Sequence, residues 1–292
     1  MKGAAPIFRQ GAAPIFRLRK TGAAPCAATF FFFLFLFAFA TAPHAQPPFT
    51  DNFESHAAGQ LPGAPWKEET YKSGAIITVD SQRAFSGSQA LHIHNPRGAK
   101  YRRGYVAIHL GGPLPVLQPG MYGRVMVWLD AAPEALPGAP PVQWTLLQGE
   151  GRDAADRYNS IYRIAFQERG GLQLMANFET TPPVTTDCKL QTKFELPVRK
   201  WACVEWRFDA ATNEMQIWMQ GKPAIHIVRG RPDSGAACKG EDLGGEWRAP
   251  PKFNSFYLGF ERYADSVNDQ DLWIDDVVLS TERVGCPRGT KR

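Results

Sequence analysis

DLWIDDVVLS, residues 271–280, is the stretch whose reading decides the fold. Leu272, Trp273, Ile274, Val277, Val278 and Leu279 read as a strand covered on both sides, yet Asp275 and Asp276 stand next to each other in its middle. Successive strand residues point to opposite faces, so at least one of these carboxylates must point inward. A buried carboxylate needs a partner: an arginine, a set of backbone N–H groups or a metal ion.

Working back from this strand, similar apolar runs separated by turn residues recur at 75–79, 90–94, 105–110, 123–129, 143–147, 161–167, 172–179, 201–209, 215–219, 224–228 and 253–261. No segment carries helical periodicity for more than a turn or two. A dozen strands in one chain predict an all-β fold, a two-sheet antiparallel β-sandwich of jelly-roll type, in which a concave sheet face commonly holds a ligand. The richest Pro/Gly stretch, DAAPEALPGAPP at 130–141, is only loop length, so residues 46–292 are expected to form a single domain.

The first 45 residues read as an export signal. Lys2, Arg9, Arg17, Arg19 and Lys20 lead into a Phe/Leu run ending at Phe39, followed by small residues, with cleavage expected after Ala40 or Ala45. The apolar run is shorter than the roughly 20 residues of a membrane span. GAAPIFR occurs twice in this leader, at 3–9 and 11–17, and is read as a local duplication. The formal charge of +5 comes from the leader: its five Lys and Arg removed, 28 basic residues face 28 acidic ones. General binding to nucleic acid or to a membrane surface therefore has no electrostatic support, and a secreted or periplasmic monomer is expected. Four cysteines follow the leader, and an even count in an exported chain predicts two disulfides. Of the three pairings, Cys188 with Cys203 and Cys238 with Cys286 is preferred, since each ties a loop or tail to a neighbouring strand.

Alternation sorts the strand faces. Val106, Ile108 and Leu110 are inward, which turns Arg103, Tyr105 and His109 outward. By the same rule Arg163, Gln167, Gln173, Asn177, Glu179, Tyr257 and Glu261 face outward, as do Arg124, Trp128, Glu205 and Arg207. Planar hydrogen-bonding groups beside aromatic rings are what a sugar-binding surface needs, because sugars present hydroxyl networks and apolar ring faces. His92 and His94 alternate with Leu91 and Ile93, which alone places them together on one exposed face without requiring a metal.

Three segments, FTDNFESHAAGQLP (49–62), VDSQRAFSGSQALHI (79–93) and WIDDVVLS (273–280), resemble the opening and closing signatures of jelly-roll carbohydrate modules and polysaccharide lyases. The stretches between them, from YRRGYVAIHL (101–110) to FYLGFERY (256–263), resemble the core domain of the cellulose-induced secreted proteins, which are similar to glucuronan lyases. The resemblance implies a concanavalin A-like β-jelly roll and a structural calcium with Glu54 and Asp275 as leading ligands and turn oxygens from Ser86 and Gln89. It also implies action on, or binding to, an acidic polysaccharide; the alternative for Asp275 and Asp276 is an arginine partner or a turn cap.

A retaining hydrolase of this fold needs a Glu-x-Asp-x-x-Glu strand, and none occurs; NFETT (177–181) and KFELP (193–197) each offer one acid. A β-eliminating lyase needs groups to neutralise a uronate, a base for its C5 proton and an acid for the leaving oxygen. Arg103, Arg163, Gln143 and Asn177 can neutralise, His109 can act as base, and Tyr105, Tyr257 or Tyr263 as acid. Arg124, Trp128, Gln167, Gln173, Glu179 and Glu261 complete the expected binding surface. The competing expectation is a non-catalytic carbohydrate-binding or adhesion protein using the same face.

Overall fold

A computed structural model describes residues 48–98, 101–109, 120–232, 237–239 and 246–287. The expected export signal and Leu110 lie outside the described residues. Within the described residues the chain is two antiparallel sheets packed face to face, as the apolar alternation predicts. The first sheet contains β1 (Phe49–Asp51), β3 (Ile76–Asp80), β4 (Ala90–Asn95), β6 (Gly120–Leu129), β11 (Ala202–Asp209), β12 (Glu214–Met219), β13 (Lys222–Val228), β14 (Arg231–Pro232) and β17 (Gln270–Ser280). Its order is β14-β13-β12-β11-β6-β17-β4-β3, with β1 also pairing β17. The second contains β2 (Lys67–Glu69), β5 (Arg102–His109), β7 (Gln143–Arg152), β8 (Asn159–Glu168), β9 (Leu172–Thr180), β10 (Asp187–Glu195), β15 (Ala237–Lys239) and β16 (Ser255–Arg262), in the order β15-β10-β9-β8-β7-β16-β5-β2. The chain crosses repeatedly between sheets, so neighbours in space are distant in sequence, which is the jelly-roll pattern.

The core between the sheets is aromatic. Trp144 stacks on Phe260 with ring centroids 4.3 Å apart, and Trp206 stacks on Phe256 at 5.6 Å. Room for Trp206 comes from the residue opposite it, Gly123, where a Cβ would fall 2.0 Å from the indole ring. No helix among the described residues is long and apolar enough to cross a membrane.

Asp275 is fully buried, and backbone N–H groups are its partners. The N–H groups of Phe85 and Ser86 donate to Asp275 Oδ2 at 2.7 and 2.9 Å, and that of Asp276 to Oδ1 at 2.7 Å. The register of β17 against β6 shifts between Asp275 and Val278, and Asp276 has φ +47°, so the two acids are the site of a β-bulge. The bulge changes the phase of the strand, so that Val277 and Leu279 reach the same core as Leu272 and Ile274, which a regular strand would forbid. Asp276 instead accepts the Ser86 hydroxyl at 2.6 Å.

The expected cysteine pairing is overturned. Cys203 is bonded to Cys286 with Cα atoms 5.9 Å apart, so neither Cys188–Cys203 nor Cys238–Cys286 exists. Cys188 is itself disulfide-bonded and stands opposite Cys238 in the β10–β15 register. The preferred pairing failed because sequence proximity says nothing of sheet membership: β10 and β11 belong to different sheets. The tail instead folds back along the first sheet, where Arg283 clamps buried Glu205 through two 3.0 Å bonds.

Two outcomes are expected. Gly123→Ala places a methyl group in the Trp206 ring and should lower stability by about 2 kcal/mol, read as a fall in the urea midpoint. Burial raises the Asp275 carboxyl to about 6, the backbone N–H bonds opposing it. The native state then holds this proton more tightly than the unfolded chain, whose Asp titrates near 4. Its stabilising contribution, roughly 3 kcal/mol, is full below the unfolded value and lost as pH rises through 6. In chelator-treated protein the fall in stability from pH 4 to 7 should be shallower for Asp275→Asn than for the wild type; parallel curves would contradict the assignment.

Candidate functional site

The site lies on the outer face of the second sheet, and register places its residues in cross-strand rows. One row runs Ala107, Tyr257, Gln148, Arg163, Asn177, Lys189 across β5, β16, β7, β8, β9 and β10. The next runs Arg103, Glu261, Thr145, Ala165, Met175, Gln191, and on the other side lie His109, Ser255, Glu150, Ile161, Glu179 and Asp187. Lys189 and Gln143 are three strands apart, about 14 Å on a flat sheet before their offset along the strands is added. Yet Lys189 Nζ donates to Gln143 Oε1 at 3.3 Å, so the sheet curls and this face is concave.

The polar groups are packed, not merely displayed. Arg103 and Arg163 are buried, as are Gln148, Asn177 and Glu261. Arg103 donates to Glu261 Oε1 at 3.0 Å and its guanidinium lies 4.3, 4.9 and 5.0 Å from the ring centroids of Tyr71, Tyr105 and Tyr257. The hydroxyls of Tyr101 and Tyr263 donate to the two oxygens of Glu261. Burial opposes the charge of Arg103, but Glu261 outweighs it and the guanidinium is held firmly protonated. Arg163 donates from Nε to Gln148 Oε1 at 3.1 Å and from Nη1 to Asn177 Oδ1 at 3.0 Å and to Glu179. Asn177 is oriented in turn by its Nδ2 bonds to Asp187 at 2.7 Å and to the Cys188 carbonyl at 3.0 Å.

The tyrosines are tuned toward one role. Burial first, then the negative charge of Glu150, pushes Tyr257 well above the usual phenol range; burial and Glu261 do the same for Tyr105. Burial raises Tyr263 too, with Arg163 opposing and Glu261 adding. All three therefore stay protonated at neutral pH and can donate protons or hydrogen bonds. Tyr105 spends its hydroxyl on the Thr145 carbonyl, whereas Tyr257 donates to Glu150 Oε1 at 2.8 Å. Gly259, opposite Tyr105, has φ +150° and leaves no room for a Cβ, which would meet the Gly104 carbonyl at 2.0 Å and the Tyr105 ring at 2.9 Å. His109 lies edge-on to Tyr257 with centroids 5.9 Å apart; its Nδ1 is 3.0 Å from Ser255 Oγ and its Nε2 3.3 Å from Glu69 Oε1.

The structure thus brings together on one face His109, Arg103, Tyr105, Arg163, Asn177, Tyr263, Tyr257, Glu179 and Glu261, with Gln143, Gln167 and Gln173 in a row at its far end. Arg124 and Trp128 belong elsewhere: both lie on β6 of the first sheet, on its opposite outer face. Arg124 faces the Asp276 and Gly285 carbonyls, and Trp128 packs edge-on to Trp201 beneath Arg83. Sequence reading missed Gln148, Glu150 and Thr145. A register shift in β7 between Thr145 and Leu147 turns Leu146 and Leu147 both into the core, so simple alternation loses the phase there. The missed signal is the pair of adjacent leucines followed by the polar QGEGR at 148–152.

On the first sheet, His92 lies 2.6 Å from Asp80 and 2.8 Å from Asp271, and stacks on Trp273 at 4.3 Å. His94 shares the same Asp271 oxygen at 2.9 Å. The hydrogen bonds from these histidines hold the Asp271 carboxyl below the usual carboxylate range, and both rings are engaged as acid partners. Among the described residues the tightest His/Cys/Asp/Glu group is Cys203, Glu205 and Cys286, whose cysteines are joined in a disulfide and do not ligate.

The residues expected to hold calcium meet on one turn. Glu54 accepts the N–H groups of Ser88 and Gln89 and the Ser88 hydroxyl, each at 2.8 Å, while Asp275 accepts those of Phe85 and Ser86. Gly87 is required between them, since a Cβ there would lie 2.5 Å from the Glu54 carboxyl. Gln89 Nε2 donates to the Phe53 and His56 carbonyls at 2.6 and 2.9 Å. The set fits calcium in kind: carboxylates, a hydroxyl and carbonyls about one turn, with Glu54 Oε2 and Asp275 Oδ1 each accepting a single hydrogen bond and keeping a lone pair for a cation.

Solved structures that share the fold include the following two. Cellulose induced protein, Cip1, is 18% identical with a TM-score of 0.54, the match covering 82% of this chain and 100% of that one. An endo-beta-1,4-glucuronan lyase from the fungus Trichoderma reesei is 13% identical with a TM-score of 0.51, covering 77% and 94%. No curated protein sequence matches the chain. The polysaccharide-lyase-like family described as Cip1-like, core domain, matches residues 63–282, and the chain belongs to that family.

Proposed function

We propose that this Cip1-like chain is an exported polysaccharide lyase that cleaves a uronic-acid-containing glycan by β-elimination on the concave face. The observation that carries the reading is the row Tyr257, Gln148, Arg163, Asn177: a protonated phenol beside a buried guanidinium and two amides, flanked by His109. Arg163 commits Nε and Nη1, while Nη2 has no hydrogen-bond partner among the described residues. That donor, with the Gln148 Nε2 amide, holds the uronate carboxylate and acidifies its C5–H, while Asn177 fixes the Arg163 guanidinium in place. Glu69 at His109 Nε2 favours the proton there, leaving the Nδ1 lone pair to take the C5 proton. The C4–C5 double bond forms as the bond from C4 to the glycosidic oxygen breaks, and Tyr257 O–H protonates that oxygen. Arg103 and Glu261 order the tyrosines around this centre without touching the reacting atoms. The likeness in fold to an endo-beta-1,4-glucuronan lyase supports the reaction class.

Calcium, in the same reading, is held by Glu54, Asp275, the Ser86 hydroxyl and carbonyls of the turn that includes Gln89. There it offsets the clustered carboxylates and fastens β17 to the turn, with no part in the reaction.

Incubation with glucuronan, alginate and pectin should raise the ultraviolet absorbance of the conjugated double bond. His109→Ala and Arg163→Met should each slow it by roughly 10²–10⁴-fold. A flat trace on all three polymers, with glycan still bound, would replace the lyase by a binding protein. Chelation should lower the thermal midpoint by about 5 °C in the wild type and far less in Asp275→Asn; an unchanged wild-type midpoint would remove calcium from the account.

A further inference from the structure

The concave face has no surplus of positive charge. Lys67, Arg103, Arg163 and Lys189 are met by Glu69, Glu150, Glu179, Asp187 and Glu261. Each buried guanidinium already has its own carboxylate, so a uronate cannot simply add to a vacant cation. The two pairs differ in one respect. Glu261 is buried and held by Tyr101, Tyr263 and Arg103. Glu179 keeps 43% of its side chain exposed, and its one hydrogen bond among the described residues goes to Arg163, whose own side chain is 9% exposed.

A buried guanidinium left without an anion is costly, so Arg163 requires a countercharge before substrate arrives. Glu179 supplies it from the solvent edge at Nη1, on the same guanidinium whose Nη2 the proposed reading gives to the substrate carboxylate. We propose that Glu179 is a built-in stand-in for that carboxylate, which a uronate displaces into water when it binds. The inference rests on the lyase reading of this face. It also assigns selectivity: a uronate replaces Glu179 charge for charge, whereas a neutral sugar that pushed it aside would leave Arg163 unpaired. Glu179 is thus a specificity-determining residue, setting affinity through competition and not through contact with the glycan.

The test is calorimetric titration of a glucuronate trisaccharide, and of cellotriose as its neutral counterpart, into the wild type, Glu179→Gln and Arg163→Met. Removing the competitor should tighten glucuronate binding roughly tenfold, because the binding-competent guanidinium is then always free. Cellotriose should bind equally weakly to all three, and Arg163→Met should lose the glucuronate preference. An independent readout in the wild type is the ¹³C resonance of the Glu179 carboxylate, which should move to the position of a solvated glutamate when glucuronate is added. This keeps the proposal testable should Glu179→Gln fold poorly. Arg163-dependent glucuronate binding that is unchanged or weaker in Glu179→Gln, with a static Glu179 resonance, would overturn the stand-in and leave the lyase reading intact. Failure of glucuronate to bind either wild type or variant would overturn both.

Discussion

One carboxylate, that of Asp275, fixes the strand on which the first sheet depends. β17 lies between β4 and β6 and also receives β1, so its register sets that of three neighbours. A one-residue slip would turn Trp273 and Asp276 to the core and Leu272 and Val277 to the outside. Slippage is prevented because Asp275 is buried at a depth where only the N–H groups of Phe85, Ser86 and Asp276 can satisfy it. Any other register would strand a charge in the apolar layer. The bulge follows from this: the strand takes up an extra residue so that Asp275 reaches its donors and the following valines keep their places.

The same rule, that buried charge must be paired, shapes the functional face. Arg103 and Arg163 are too deep to remain unpaired, and each is matched by a glutamate on the neighbouring strand. Around Arg103 the match is closed by three tyrosine rings and two phenol donors, which makes that half of the face a rigid support. Around Arg163 it is open, with amides on one side and an exposed glutamate on the other. Chemistry belongs at the open half, since a site whose every donor is spent internally has nothing to offer a ligand.

The outer face of the first sheet is occupied by its own chain. The Cys203–Cys286 bond draws residues 281–287 back over β11, and Arg283 neutralises Glu205 beneath them. Further along, Asp80, His92, Asp271 and His94 satisfy one another, and Arg83 covers the rings of Trp128 and Trp273. The two outer faces are similar in composition, both rich in Arg, His and aromatic residues, and the curl of the second sheet gathers such groups around Arg103 and Arg163.

That similarity marks the limit of what the sequence made legible. Alternation correctly separates inward from outward at Arg103, His109, Arg163, Asn177 and Tyr257, because a period of two survives wherever a strand is regular. It says nothing about which of two sheets a strand joins, since the inward faces of both look alike. Arg124 and Trp128 were grouped with His109 for that reason, although β6 and β5 are consecutive in sequence and lie in opposite sheets. The cysteine pairing failed on the same ground. Short edge strands such as β1, β2, β14 and β15, and β10 with its polar KLQTKFE, carry too few apolar residues to announce themselves. Irregularity hides the rest: the shift in β7 concealed Gln148 and Glu150, because a local change of phase inverts every assignment beyond it. The bulge in β17 was different only because it left a trace, two adjacent carboxylates in an apolar strand, which no regular strand could accommodate without a partner.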